Sequence, residues 1–144
     1  SEREAPGFYE KFCDQMNKAG ETARKAGLTL CYHHHSFEFE YTNGVRPIEV
    51  MMKRFDPKRV QFQIDTFWVK VGGEDPATLI GKLKGRVPLV HLKDVRSAMF
   101  FEYQEGKVPR NMFMECGSGA LDFPRILRAC QAAGVKSYIV EQDQ

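Results

Sequence analysis

Apolar residues near the start of the chain recur at helical spacing. Phe8, Phe12, Met16, Ala19 and Ala23 are separated by Glu, Lys and Arg, which predicts an amphipathic helix over 6–26. Gly27 follows as a stop signal. The pattern then tightens into short apolar runs alternating with helical segments. "LTLCYH" (28–33), "VQFQID" (60–65), "VPLVHL" (87–92) and "KSYIVE" (136–141) read as strands. Helices are predicted over 47–55, ended by Asp56-Pro57, over 75–85 and over 121–134. Asp75 and Pro76 make a cap and first turn, with Gly85 at the end. A long irregular stretch runs from 93 to 119.

Strands that alternate with helices four times predict right-handed βα units and a parallel sheet. An open doubly wound sheet usually carries a Gly-rich phosphate loop after its first strand. Here that place holds "HHHSFEFEYTNG", so a barrel is the better reading. Four βα units are half of a (β/α)8 barrel, which typically needs about 250 residues. The last strand runs into Glu141-Gln142-Asp143-Gln144 with no closing helix. The expectation is therefore one partial TIM-barrel domain over 1–144: the last four βα units, without the N-terminal half and the final helix. Such a half-barrel has unpaired edge strands, which predicts poor solubility or a homo-oligomer covering the open face.

Composition excludes more than it selects. The chain is 42% apolar and 28% charged, with a net charge of +2; with no basic cluster, nothing points to nucleic acid or a membrane. No apolar run approaches the ~18 residues of a membrane span, and no signal peptide is visible, so a cytoplasmic location is expected. Cys13, Cys31, Cys116 and Cys130 are scattered, which favours reduced packing residues over a zinc site.

The candidate chemistry lies at the strand ends, where barrels carry theirs. The first strand ends in His33-His34-His35, with Glu38 beyond. The second ends in Asp65, the third in His91 with Lys93 and Asp94 following, and the last in Glu141 followed by Asp143. Singly, each has a bland reading: Asp65 as a helix cap, His91 as a core histidine. Together, carboxylates and an imidazole from neighbouring strands make a mixed oxygen–nitrogen set for Mn²⁺, Mg²⁺ or Co²⁺, with Zn²⁺ also compatible. In "HSFEFEY", Phe37, Phe39 and Tyr41 alternate with Ser36, Glu38 and Glu40; in an extended chain this would turn Glu38 inward. His33 and His35 share a face by the same rule and are candidates to contact substrate, and His34 faces away. Trp68 is either core or an apolar wall of a binding site. Lys93 either holds a substrate oxygen or is a solvated surface lysine. Amides in "ECGSGALDF" could hold an anion, though a tight loop into a capped helix is the simpler reading.

The motifs "YHHHSFEFE", "IDTFWVKVGGEDP", "GRVPLVHLKD", "ECGSGALDFPRIL" and "YIVEQDQ" resemble the xylose isomerase-like TIM-barrel superfamily, and within it the sugar phosphate isomerase/epimerase group. More distantly they resemble tagatose 3-epimerase-like enzymes, inosose dehydratase and endonuclease IV. The resemblance implies a divalent metal held by a Glu, an Asp, a His and a second Glu; Asp65, His91 and Glu141 match the last three. The epimerase-type pattern has Glu-Asn where this chain has His33-His34, and even the closer "HNHxFEF" pattern is broken at His34. Glu38 is the expected first ligand, with His33 as its rival. The activity implied is isomerisation or epimerisation of a sugar, sugar phosphate or keto-polyol, with Glu141 as base and Glu38 as opposing acid/base. A dehydratase of a keto-inositol or keto-sugar is the alternative. An AP endonuclease would want more histidines and a basic face, and a non-catalytic sugar-binding barrel would not need the Asp65, His91 and Glu141 set.

Overall fold

A computed structural model describes residues 2–143. Among these residues the elements run α1 (Phe8–Lys25), β1 (Leu30–His33), α2 (Pro47–Arg54), β2 (Val60–Asp65), α3 (Thr66–Val71), α4 (Pro76–Lys82), β3 (Leu89–Leu92), β4 (Asp94–Val95), β5 (Phe113–Met114), α5 (Phe123–Ala133) and β6 (Ser137–Val140). Short 3₁₀ turns stand at Glu2–Glu4, Phe37–Phe39, Glu105–Lys107 and Arg110–Met112. None of the described helices is long and apolar enough to cross a membrane.

The sheet β1-β2-β3-β6 is parallel throughout. Its strands alternate faces as pleating requires. On β2, Val60, Phe62 and Ile64 are buried in the main core with Met51, Phe55, Ile80, Val90 and Cys130. Gln61, Gln63 and Asp65 take the opposite face. Register then fixes the chemistry: His33 lies beside Gln63, and Asp65 lies beside His91. At the edge, β6 leaves Ile139 and Val140 exposed. The four cysteines are free, Cys13 and Cys130 buried and the others half-buried.

Two features depart from the pattern in the sequence. The helix α3 follows directly on β2, yet Thr66, Phe67, Trp68, Val69 and Val71 are all buried. A helix wrapped by protein has no polar face, so it shows no amphipathic period. The stretch read as irregular contains the antiparallel pair β4–β5, whose strands are too short to reveal alternation.

Asp75 accepts from the Thr78 amide at 2.8 Å and caps α4. It also receives both Arg125 nitrogens at 2.7 and 2.8 Å, tying α4 to α5. That guanidinium holds the Asp75 carboxyl down at about 2. A depressed carboxyl stabilises the fold above its unfolded value, near 3.9, and the gain is lost as pH falls towards 2. Asparagine keeps the cap but not the charge. The stability gap between the native protein and Asp75→Asn, read by urea unfolding, is therefore expected to be present at pH 6 and to close between about pH 4 and pH 2.

Gly20 is buried within α1 against β2's approach, where a Cβ would stand 2.7 Å from the Arg59 carbonyl carbon. Alanine is the better helix former by about 1 kcal/mol. Overpacking costs about 1–3 kcal/mol, and here the obstacle is backbone. The clash wins: Gly20→Ala lowers the urea midpoint, whereas an ordinary helical glycine would raise it.

Candidate metal centre

The site is built around the point where β2 becomes α3. Asp65 is fully buried, and its two carboxylate oxygens have separate work. Oδ1 accepts from the amides of Phe67 (2.9 Å) and Trp68 (3.1 Å), capping the helix. Oδ2 has no hydrogen-bond partner. It lies 3.6 Å from Lys93 Nζ and 4.0 Å from His91 Nδ1. Burial pushes the carboxyl up to about 7, against the pull of the Lys93 ammonium and the two helix amides. The cap reading of Asp65 thus holds for one oxygen, and the other is left facing His91 and Lys93.

His91 is brought alongside by the β2–β3 register. Its Nδ1 faces Asp65 Oδ2 and Glu141 Oε2, while its Nε2 meets the Gln63 side-chain amide. Glu141 follows β6, and its amide donates to the Leu92 carbonyl at 3.1 Å. His33 completes the cluster: one donor atom each from His33, Asp65 and His91 lie within 4.8 Å of one another. Burial, with His35 and His91 nearby, lowers the His33 imidazole to about 4, so it is neutral at pH 7, as a metal ligand must be.

A divalent cation fits this arrangement. Asp65 Oδ2, His91 Nδ1 and Glu141 Oε2 are all buried and form no hydrogen bond of good geometry; they are left facing one another, a costly state for polar atoms unless something joins them. All three are donors to a metal, and they converge on one another.

Lys93 is 1% exposed, so the solvated-lysine reading fails. Its Nζ reaches Asp143 (2.7 Å), Glu141 (3.0 Å) and Asp65 (3.6 Å). The rings of Phe67, Trp68 and Phe113 stand 5.7–5.9 Å away. Burial alone would lower its pKa, but the carboxylates overcome this and raise it. Trp68 is almost fully buried with Phe67 and Phe113, and its ring edge meets His35 at 5.0 Å. His35 is partly exposed and lies 3.4 Å from Glu105.

The extended run expected through Glu38 is corrected. Residues 37–39 form a 3₁₀ turn rather than an extended strand, so alternation does not apply and Glu38 is not brought into the cluster. Its carboxylate is fully buried and accepts from Tyr32 Oη at 2.6 Å and the His35 amide at 2.9 Å. It is a brace for the turn that carries the histidines. His34, expected to matter least, is also fully buried. Its Nε2 accepts from the Asp65 amide (3.3 Å), and its Nδ1 faces the His35 carbonyl at 3.1 Å; burial lowers it to about 3. Nor do the loop amides near Gly117 await an external anion. Asp94, fully buried, accepts from Gly117, Gly119 and Leu121.

Sequence reasoning missed Gln63 beside His91 and placed Asp143 at the strand end without giving it a role. The period of two had the signal, since Gln63 precedes Asp65 by two and Asp143 follows Glu141 by two. His34 gave no such signal, because its role is to a backbone amide.

Residues 1–142 match the family model of the xylose isomerase-like TIM barrel. The chain belongs to that family. Inosose dehydratase of Lacticaseibacillus casei is 31% identical over 144 residues, covering 94% of this chain and 48% of that protein. The crystal structure of a sugar phosphate isomerase/epimerase from Parabacteroides distasonis ATCC 8503 superposes with a TM-score of 0.78 at 27% identity, covering 95% of this chain and 45% of that one. An IolI protein with a bound zinc atom has a TM-score of 0.68 at 15% identity, covering 94% and 47%, and shares the fold. The chain spans about half the length of the curated relatives it matches. Its parallel β/α units correspond to part of such a barrel.

The geometry separates Glu38 from the cluster in a measurable way. Glu38→Ala leaves two buried donors unpaired and is expected to cost about 1–3 kcal/mol for each, seen in thermal melts, while divalent cation affinity by calorimetry stays within about twofold. His33→Ala is expected to weaken cation binding by more than the roughly 10- to 100-fold typical of losing an outer partner.

Proposed function

We propose that this chain carries the metal centre of a lyase that removes water from a cyclic keto-polyol of the keto-inositol class. The observation that carries the reading is the convergence of Asp65 Oδ2, His91 Nδ1 and Glu141 Oε2 on one another at the strand ends, none in a well-formed hydrogen bond, in a chain 31–32% identical to inosose dehydratases. His33, Asp65, His91 and Glu141 are the ligands. Two imidazoles and two carboxylates move the preference towards Zn²⁺, Co²⁺ or Mn²⁺ and away from Mg²⁺.

A divalent cation held there supplies Lewis-acid polarisation of the substrate carbonyl and acidifies the neighbouring C–H. The Glu141 carboxylate takes that proton, and Lys93, 3.0 Å from Oε1, keeps the group oriented. The proton leaves with the β-hydroxyl as water while the carbon–carbon double bond forms. His35, at the partly open mouth, hydrogen-bonds the departing hydroxyl, and the edge of Trp68 backs its ring.

A second reading, isomerase or epimerase, is favoured by the likeness to the Parabacteroides distasonis protein. The chemistry begins with the same proton abstraction and differs in where the proton returns. A phosphorylated substrate finds little support in either case. The loop amides are held by Asp94, and Lys93 is already surrounded by three carboxylates.

Incubating the intact protein with a keto-inositol and Zn²⁺, Co²⁺ or Mn²⁺ is expected to generate a conjugated enone absorbing in the ultraviolet, and a chelator is expected to stop it. Glu141→Gln should lower kcat by about 100- to 10,000-fold. A product of unchanged mass with no chromophore would move the assignment to isomerase or epimerase.

A further inference from the structure

The two ring nitrogens of His91 face different chemistry. Nδ1 looks towards Asp65 and Glu141. Nε2 meets the amide nitrogen of Gln63, a residue two before Asp65 on β2 and paired in register with His33 and Leu89. An imidazole binds a metal through a nitrogen without hydrogen, so ligation at Nδ1 requires the hydrogen on Nε2 and an acceptor for it. A glutamine amide carries both possibilities: its NH₂ end donates, its oxygen accepts, and a half-turn about the terminal bond exchanges them.

We propose that Gln63 is a positioning residue that sets the His91 tautomer and reverses its amide when the cation site fills. With the NH₂ end on Nε2, that nitrogen accepts and the ring hydrogen sits on Nδ1, facing the carboxylates. With the oxygen on Nε2, the hydrogen moves there and the Nδ1 lone pair is free. Between the two forms one hydrogen changes place on the ring. The inference rests on the cation site proposed above. It explains why a neutral amide, rather than a carboxylate, stands behind this histidine. A carboxylate accepts only and would hold the metal-ready tautomer at all times, whereas the amide lets the ring face the acids as a donor while the cation is absent.

The test reads the imidazole nitrogens directly, by ¹⁵N NMR of His91 in the protein before and after zinc is added, together with zinc affinity by calorimetry. In the metal-free protein Nδ1 is expected to carry the hydrogen, and after zinc Nε2 is expected to carry it. Gln63→Glu should show the Nε2–H form even without metal and should bind zinc at least as tightly. Gln63→Leu, which can accept nothing, should bind zinc about 10- to 100-fold more weakly with a melting temperature close to that of the native protein. An Nε2–H ring in the metal-free native protein, or zinc affinity within twofold in Gln63→Leu, overturns the proposal. The metal-free tautomers of the native protein and of Gln63→Glu are read without zinc. If they behave as expected and zinc does not bind, it is the metal-centre reading that has failed.

Discussion

Everything at the strand ends depends on placing the Asp65 carboxylate inside the protein. A buried carboxylate is expensive unless its oxygens are answered. One oxygen is answered twice by the first amides of α3. The other is left to the Lys93 ammonium and to whatever cation joins it with His91 and Glu141. The surrounding residues follow from that need. His34 takes the Asp65 amide, and Thr66 Oγ1 donates to the Lys93 carbonyl at 2.7 Å, locking the ends of β2 and β3 together. Lys93 in turn is kept charged by the acids around it.

Parallel register translates this local requirement into a site. Neighbouring strands of one direction all end at the same rim, so one residue from each is enough to build a cluster. The supporting residues are as specific as the cluster itself. Glu38 braces the histidine turn from beneath. Asp94 gathers the amides of the loop before α5, as an anion would. Both stood at or just beyond strand ends in the sequence, and both bind groups of their own chain instead: Asp94 backbone amides, Glu38 the Tyr32 hydroxyl and the His35 amide. A buried carboxylate satisfied by N–H groups of its own chain has little capacity left for a ligand.

The alternation of helices and strands was plain in the sequence because each amphipathic segment must turn an apolar face to the same core. Asp65, His91 and Glu141 were equally legible, since each directly ends or follows an apolar strand, where an ionisable residue has few bland explanations. The helix α3 was not legible, because a segment buried on all sides carries no polar period. The choice between His33 and Glu38 was not legible either. It depended on whether residues 37–39 extend or coil, and aromatic–acid alternation over so few residues is compatible with both.

By itself, then, the sequence determined the βα order, the rim on which the chemistry stands and three of its residues, because those follow from local periodicity and strand polarity. Packing in three dimensions settled the remainder: which polar atoms are left facing one another, that His33 joins the cluster while Glu38 turns to Tyr32 and the His35 amide, and that Gln63 stands behind His91. These are outcomes of register and burial, which bring together residues as far apart in the chain as His33 and His91, and no local pattern along the chain records them.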